Sequence, residues 1–302
     1  GGGVYIFPNG DPSARKALIS GLDRPYGMAF YKNYLYVAET ESVKRFVYDA
    51  NARTAGEGHE VVSLKGLTKG HWTRAITFDA DHMFVSVGSG SNVDAGEDPR
   101  RAAILRFNPD GSGQEIWASG TRNPVDIHFY PGTSTLWAAV QERDALGDDL
   151  VPDYFTHITP HGFYGWPYAY IGPHEDPRRK GERPDLVAKT IEPDLALGAH
   201  VAVLSFAFYQ GKQFPAKYQG GAFLTFHGSW NRSSRVGQSV AFIPFKNGKP
   251  SGPREDFLTG WMIAPESTKV WGRPVGICEM SDGSLLVSDD GGKKVWHIMY
   301  GG

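Results

Sequence analysis

Several features that would point to other classes of protein are missing from this sequence. The 302 residues include one cysteine, Cys278, which excludes a disulfide framework, a cysteine-rich zinc module and haem attachment through C-x-x-C-H. Lysine and arginine total 31 against 33 aspartate and glutamate, so the basic excess of a nucleic-acid-binding protein is absent. The longest apolar stretch, residues 201–209, is far too short to span a bilayer. We therefore expect neither a nucleic-acid partner nor a transmembrane segment.

Helical patterns are also scarce. Apolar residues never recur at i, i+3 and i+4 over three turns without an intervening glycine or proline. The chain instead contains 38 glycines, 20 prolines and 13% aromatic residues, a composition typical of many turns that join aromatic-rich strands. We expect an all-β protein with a single domain over residues 1–302, because all-β folds often exceed about 200 residues in one domain.

Five segments repeat one pattern, in which an apolar strand, a turn and a second strand with alternating apolar positions follow one another. They begin at Arg24, Arg74, Arg122, Val203 and Arg273. Repeats of about 40 to 50 residues with turn-rich insertions are typical of β-propeller blades. Residues 4–7 and 16–19 resemble the outer strands of one more blade. The sequence therefore predicts a six-bladed β-propeller of four-stranded antiparallel blades, with the first blade incomplete and its missing half upstream of residue 1.

Polar residues near the starts of the first strands are predicted to meet at one mouth of the central channel. They are Arg24, His71, Arg74, Arg122, Asn123, His200 and Arg273. Guanidinium groups bind carboxylates bidentately and stack on flat rings, so this cluster suits a planar ligand with several carboxylates. The alternative is that each arginine binds loop carbonyls at a blade junction and has no ligand.

Among the histidines, His71 is the best candidate for a general base, because imidazole titrates near working pH. The alternative is a histidine whose hydrogen bonds are satisfied inside the channel. His157 and His161 have the four-residue spacing of a helical metal pair, but Pro160 between them excludes a helix. We expect both of those histidines to be structural.

Residues 141–149, with Asp153 soon after, form an oxygen-rich segment behind a predicted strand. Ca²⁺ takes roughly six to eight oxygen ligands, so this segment is the predicted metal loop, and a solvated acidic turn is the alternative. The glycine-rich residues 88–92 lack the spacing of a nucleotide-binding loop. Ser229 lies outside a G-x-S-x-G motif, so the sequence does not favour a hydrolase elbow.

Nine short motifs occur in an order that is specific as a set. They are HWTRAITF from His71, VSVGSGSN from Val85, RAAILRFNPDGSG from Arg101, SGTRNPVDI from Ser119, LGDDLVPDYF from Leu146, GFYGWPYAY from Gly162, LGAH from Leu197, HGSWNRS from His227 and WGRPVG from Trp271. Together they resemble the sorbosone dehydrogenase branch of the soluble pyrroloquinoline quinone (PQQ)-dependent sugar dehydrogenases. That family has a six-bladed propeller with PQQ and Ca²⁺ at its mouth, which agrees with the repeats.

The resemblance implies roles for individual residues. His71 matches the general base that takes the proton of the anomeric hydroxyl while hydride passes to the quinone. Ser89 stands where the glucose dehydrogenase branch has a carboxylate that supports this histidine, so its orientation must come from elsewhere. The implied cofactor contacts are Arg122, Asn123, Arg232 and Arg273. The implied calcium ligands are the side-chain amide of Gln141 and the main-chain carbonyls of Glu142 and Arg143, with Asp153 at a matching acidic position.

The predicted activity is a PQQ- and Ca²⁺-dependent oxidation of aldoses or sorbosone-like sugar carbonyls, with a soluble electron acceptor. The resemblance also implies a periplasmic or secreted location. A calcium-dependent lactonase-type propeller hydrolase is one alternative, although a neutral lactone needs fewer cations than the mouth provides. A non-catalytic propeller that binds a sugar or a protein is the other.

Overall fold

Consecutive antiparallel strands account for nearly all the regular structure of the computed structural model, which describes residues 2–301. An N-terminal ribbon consists of β1 (Gly2–Ile6) and β2 (Lys16–Leu22). Blade 1 consists of β3 (Met28–Tyr31), β4 (Tyr34–Ala38), β5 (Ser42–Asp49) and β6 (Thr54–Ser63). Blade 2 consists of β7 (Ile76–Phe78), β8 (Met83–Val87), β9 (Ala103–Phe107) and β10 (Glu115–Ser119).

Blade 3 contains an insertion before its outer strand. Its first strands are β11 (Asn123–Phe129), β12 (Leu136–Gln141) and β13 (Pro152–His157). The insertion contributes β14 (Gly162–Phe163), which pairs in parallel with β10 of blade 2, and the hairpin of β15 (Ala169–Tyr170) and β16 (His174–Glu175). The outer strand is β17 (Leu195–Ala199).

The last two blades complete the chain. Blade 4 consists of β18 (Val203–Phe208), β19 (Ala222–Phe226), β20 (Ser239–Ile243) and, after a hairpin of β21 (Phe245–Lys246) and β22 (Lys249–Pro250), β23 (Glu255–Leu258). Blade 5 consists of β24 (Pro274–Glu279), β25 (Leu285–Asp289) and β26 (Lys294–Ile298). The helical pieces are α1 (Pro184–Val187) and 3₁₀ turns at Pro8–Gly10, Pro12–Ala14, Pro177–Arg179 and Ala216–Tyr218. Within residues 2–301 we find no helix with the length and apolarity needed to cross a bilayer.

The prediction of an all-β propeller is confirmed, but the prediction of six blades is wrong. Residues 2–301 form five blades, most of them four-stranded, and the N-terminal ribbon has two strands only. The ribbon does not become a blade because β1 has no strand partner other than β2 in the described chain. Val4 and Ile19 of the ribbon instead pack on Leu35 and Phe46 of blade 1.

Aromatic and aliphatic side chains between neighbouring blades form the core. Between blades 3 and 4, Phe155 and Phe206 lie with their ring centroids 4.8 Å apart, and Trp137, 1% exposed, packs beside them. Large buried rings contribute strongly to stability because each removes much apolar surface from water. This packing sets the blades around an axis and brings the starts of their innermost strands to one mouth.

Candidate functional site

A cavity of about 1570 Å³ opens at this mouth. Its lining includes residues at the starts of all five innermost strands, among them Tyr26, Thr73, Asn123, Ala202 and Arg273. A second cavity of about 240 Å³ adjoins it and shares some of its lining residues. The residues of the second cavity are His71, Arg122, Gln141, Glu142, Asp144, Asp153, His200, Ala202, Trp230 and Asn231. We call the two spaces the main cavity and the acidic cavity.

His71 lines both cavities, and its ring is held by Ser89. The ring Nδ1 lies 3.0 Å from the Ser89 carbonyl oxygen and 3.1 Å from the Ser89 hydroxyl, which itself donates to the Ser91 carbonyl at 2.6 Å. Both oxygens that face Nδ1 are therefore acceptors, so Nδ1 carries the hydrogen and Nε2 is the basic nitrogen. The main-chain carbonyl of Ser89 thus supplies the orientation expected from a carboxylate.

The surroundings of His71 keep it neutral. Burial, and then the neighbouring charge of Arg122, lower the pKa of His71 to about 3. A buried imidazole loses the hydration that stabilises its cation, and a nearby guanidinium opposes a second positive charge. The expectation that this imidazole titrates near working pH is therefore wrong for the protein without ligand.

Two glycines allow the loops around His71 to approach it closely. A Cβ on Gly88 would lie 2.6 Å from the Cβ of His71 and would also collide with the side-chain oxygen of Asn123. Gly70, with φ +72°, would place a Cβ 2.5 Å from the Gly90 carbonyl oxygen. A larger residue at Gly88 would have to displace His71 or Asn123, and one at Gly70 would have to displace the Gly90 backbone.

Arg122 is 5% exposed and joins three loops. Its Nη1 donates to the Glu142 carbonyl at 2.7 Å, and its Nε and Nη2 donate to the main-chain and side-chain oxygens of Asn92 at 3.2 and 3.0 Å. Asn92 also exchanges hydrogen bonds of 3.0 and 2.9 Å with the backbone of Asp144. Asn92 is a site residue that sequence reasoning missed, although it ends the VSVGSGSN motif.

Asn123 and Gln141 form an amide pair where β11 meets β12. Asn123 donates to Gln141 Oε1 at 3.0 Å, and Gln141 donates to the Val203 carbonyl at 2.8 Å. The Asn123 Oδ1 is buried without a hydrogen-bond partner. A buried amide oxygen without a partner is costly, so this atom is available to a ligand donor.

The predicted calcium residues Glu142 and Arg143 already have bonding partners within the protein. The Glu142 carbonyl already accepts from Arg122, whereas the Glu142 carboxyl is 4% exposed and its Oε1 has no partner. The Arg143 guanidinium lies 2.8 Å from Asp176. The side chain therefore forms a buried ion pair with that residue.

Two carboxyl groups of the acidic cavity, those of Glu142 and Asp153, have raised pKa values. Burial raises the pKa of Glu142 to about 8 and that of Asp153 to about 6. Asp153 accepts hydrogen bonds from the Glu142 and Val203 amides at 3.0 and 3.1 Å. The low polarity around these acids disfavours their charged forms, and positive charge in the cavity would reverse that effect.

The acidic cavity fits a hard cation by its donor chemistry. Its lining contains the carboxyls of Glu142, Asp144 and Asp153 and the amide of Gln141, with Arg122 as the nearby cation. Such oxygen donors suit Ca²⁺, and the unpartnered Glu142 oxygen lies among them. Across residues 2–301, no three His, Cys, Asp or Glu side chains converge on a single point, so carbonyl or ligand oxygens would have to complete the shell.

Arg273 and Arg232, both predicted cofactor contacts, have different surroundings. Arg273 lines the main cavity, and its guanidinium has no hydrogen bond or ion pair within the described chain. Arg232 lines neither cavity, because its guanidinium binds the main-chain oxygens of Asp148 and Ser234 and lies near the Asp149 carboxylate. The structure thus brings Arg273, and not Arg232, to the cavity wall.

The remaining candidates of the mouth have structural contacts. Arg74 is fully buried and donates to the carbonyls of Leu67, His71 and Thr73. His200 is buried with Nε2 2.9 Å from the Gly147 carbonyl and Nδ1 3.3 Å from the Asn231 amide nitrogen. Arg74 therefore follows the alternative in which an arginine binds loop carbonyls, and His200 has no free nitrogen for base catalysis.

Side chains that the sequence did not single out also line the main cavity. His227 lies with Nε2 3.0 Å from Asp290, and both residues line the wall near Arg273. Trp72 and Trp230 are 38% and 68% exposed at the same cavity. His227 and Trp230 both belong to the HGSWNRS motif, so this motif could have identified them as site residues from the sequence.

Comparison with known proteins identifies relatives over most of the chain. Residues 28–229 match the family described as Glucose / Sorbosone dehydrogenase, and residues 181–301 match a family described as TrAA12-like. An uncharacterized protein of Borreliella burgdorferi is 30% identical over 293 residues, which cover 92% of this chain and 76% of that protein.

Two solved structures share the fold. The holo form of the pyranose dehydrogenase PQQ domain from Coprinopsis cinerea has a TM-score of 0.80 and 20% identity, over 96% of this chain and 86% of that one. The calcium structure of the Trichoderma reesei Carbohydrate-Active Enzymes Family AA12 protein has a TM-score of 0.78 and 20% identity, over 94% and 82%. The fold, the ordered motifs and the match over residues 28–229 agree, and the chain belongs to the Glucose / Sorbosone dehydrogenase family.

Proposed function

We propose that this protein is a PQQ-dependent dehydrogenase that oxidises an aldose or a sorbosone-like sugar carbonyl. The observation that carries the proposal is the neutral His71, whose Nε2 has no hydrogen-bond partner within residues 2–301 and whose ring borders both cavities. The family match supports a sugar dehydrogenase, and the holo pyranose dehydrogenase domain supports the quinone. Assignment to the sorbosone branch is part of the proposal.

The residues of the main cavity fit a planar, polyanionic cofactor. Arg273 offers an unpaired guanidinium for a carboxylate, and the unpartnered Asn123 Oδ1 offers an acceptor for a ring or hydroxyl hydrogen. Arg122 adds positive charge behind the acidic cavity. When bound, PQQ supplies the hydride acceptor, which no amino-acid side chain can provide.

In this proposal His71 would accept the proton of the anomeric hydroxyl at Nε2, and the carbon-bound hydrogen would pass as hydride to the quinone when that cofactor is bound. The Nδ1 hydrogen bond to the Ser89 carbonyl holds the ring and stabilises the imidazolium that forms. The negative charge of a bound polyanionic cofactor would offset part of the positive charge around His71. That change would raise the pKa of His71 and strengthen it as a base.

We propose that Ca²⁺ binds in the acidic cavity, held by the Glu142 carboxyl and the side-chain oxygen of Gln141, with main-chain and ligand oxygens completing the shell. A cation there would favour ionisation of Glu142 and would polarise a neighbouring carbonyl. This assignment moves the Glu142 contribution from its main-chain carbonyl to its carboxylate. The calcium structure of the Trichoderma reesei AA12 protein, which shares the fold, supports the choice of metal.

The exposed indoles favour a sugar as the substrate. Trp72 and Trp230 offer apolar ring faces beside His71, and a pyranose has an apolar C–H face of similar size. A soluble electron acceptor and a periplasmic or secreted location complete the proposal, by analogy with the family.

The test is reconstitution of metal-free protein with PQQ, Ca²⁺ or both, followed by dye reduction with a panel of aldoses and sorbosone-like sugars. Turnover is expected when both are present, together with an absorbance band of bound quinone. Absence of turnover with every sugar would refute the dehydrogenase. Lactone hydrolysis with Ca²⁺ alone would favour the lactonase alternative, and quinone affinity unchanged in Arg122→Ala and Arg273→Ala would favour a non-catalytic propeller.

A further inference from the structure

The loop that holds His71 is itself held by a carboxylate. Within residues 88–91, the Ser89 amide donates to the Arg122 carbonyl at 2.8 Å, and Arg101 donates to the Gly88 carbonyl at 3.1 Å. Glu97 accepts from the Gly90 amide at 2.6 Å and from the Ser91 hydroxyl at 2.7 Å. Both carboxylate oxygens of Glu97 therefore accept hydrogen bonds from the two residues that follow Ser89.

These contacts form a chain that ends at the base. Glu97 positions Ser91, the Ser91 carbonyl accepts the Ser89 hydroxyl hydrogen at 2.6 Å, and the Ser89 hydroxyl then presents a lone pair to His71 Nδ1 at 3.1 Å. The Ser89 carbonyl, 3.0 Å from Nδ1, also requires the hydrogen there as long as residues 89–91 keep this conformation. If this loop moved, the carbonyl would leave Nδ1, and the Ser89 hydroxyl could rotate and donate to it. The hydrogen of the imidazole would then reside on Nε2, which could no longer accept a proton.

We propose that Glu97 is the positioning residue of this site, because it holds Gly90 and Ser91 and thereby keeps both Ser89 oxygens facing Nδ1, which fixes His71 in the tautomer with hydrogen on Nδ1. In this protein Ser89 takes the place of the carboxylate that supports the base in the glucose dehydrogenase branch. Glu97 supports Ser89 indirectly, because it holds the two residues that follow Ser89. This proposal rests on the proposed function only for the claim that the tautomer matters to catalysis.

The test measures the tautomer directly. Nitrogen-15 NMR of the imidazoles in quinone-free protein, with His71 assigned from a His71→Gln variant, distinguishes a protonated from an unprotonated Nε2. The wild type is expected to have hydrogen on Nδ1 alone. Glu97→Ala is expected to populate both tautomers, and Glu97→Gln, which retains one acceptor oxygen, should lie between them.

Activity of the PQQ-loaded protein is the second readout. Glu97→Ala should lower kcat by roughly tenfold or more, below the full loss of about 10² to 10⁴ for a missing general base, with little change in KM. The matched control is Glu175→Ala, since Glu175 accepts from the Gly181 amide at 2.7 Å in an exposed loop. It should retain the wild-type spectrum and rate.

The outcomes separate this proposal from the proposed function. A folded Glu97→Ala protein whose His71 keeps hydrogen on Nδ1 alone would overturn it. If Glu97→Ala fails to fold, Ser91→Ala removes one of the two groups that Glu97 holds, and it should populate the second tautomer to a smaller extent than Glu97→Gln. Hydrogen on Nδ1 alone in a folded Ser91→Ala protein would overturn the proposal. If the wild type oxidises no sugar, the proposed function fails, but the NMR comparison still decides the role of Glu97.

Discussion

Replacing Glu142 by glutamine should change the stability of this protein in opposite directions with and without Ca²⁺. The Glu142 carboxyl is 4% exposed, its Oε1 has no partner, and burial raises its pKa to about 8 from a reference value of 4.5. The carboxyl therefore destabilises the metal-free protein at every pH at which this group would be ionised in the unfolded chain. Glutamine has nearly the same shape and never ionises.

The size of the effect follows from the two pKa values. Because the folded-state pKa is the higher one, the folded protein binds a proton that the unfolded chain releases, so the free energy of unfolding falls as pH rises from about 4.5 to about 8. At pH 7 the accumulated cost is roughly 3 kcal/mol. Glu142→Gln should raise the free energy of unfolding by up to that amount at pH 7 and have little effect near pH 4.

Calcium should reverse the order of stability. Binding to the folded protein alone adds about 4.1 kcal/mol at a thousandfold excess over Kd, which exceeds the roughly 3 kcal/mol cost at pH 7, and an ionised Glu142 is the proposed ligand. The neutral amide of glutamine is a weaker ligand, so the variant should gain much less. Urea unfolding at pH 4, 7 and 8, in chelator or in Ca²⁺, measures both effects.

Asp149→Asn is the matched control, because it removes a carboxylate from the same loop where the side chain is 91% exposed. It should change the free energy of unfolding by no more than about 0.5 kcal/mol, either in chelator or in Ca²⁺. Loss of stability in metal-free Glu142→Gln at pH 8, or equal stabilisation of both proteins by Ca²⁺, would refute the reasoning.

Four further predictions concern the base and the core. His71→Gln should retain bound quinone but lose about 10² to 10⁴ in sugar oxidation, and near-normal turnover of the loaded variant would remove His71 from the mechanism. In quinone-free protein, NMR titration should find His71 neutral from pH 5 to pH 8, and a midpoint inside that range would contradict its burial. Gly88→Ala should lower both Tm and kcat, whereas Gly56→Ala, where a Cβ has 3.7 Å of clearance, should lower neither. Trp137→Ala should cost about 3 to 5 kcal/mol in urea unfolding, and a much smaller loss would contradict the packing between blades 3 and 4.

The propeller could be predicted from the sequence because each blade is a local unit. Strand, turn and strand alternate within about 50 residues, so apolar alternation and turn residues reveal the blades one at a time. The number of blades could not be predicted from these local patterns. Whether β1 and β2 become part of a four-stranded blade depends on strands that pair with β1, and pairing between distant segments leaves no local pattern.

The sequence by itself also placed His71, Asn123 and Arg273 at the mouth, because the start of an innermost strand is a position that the repeat defines. Only the tertiary structure decided what those side chains contact. Hydrogen bonds between loops far apart in the chain fix the tautomer of His71, draw Arg122 onto the Glu142 carbonyl and keep Arg232 away from the cavity. Such bonds depend on distances that the folded blades set, and no spacing within one segment encodes them.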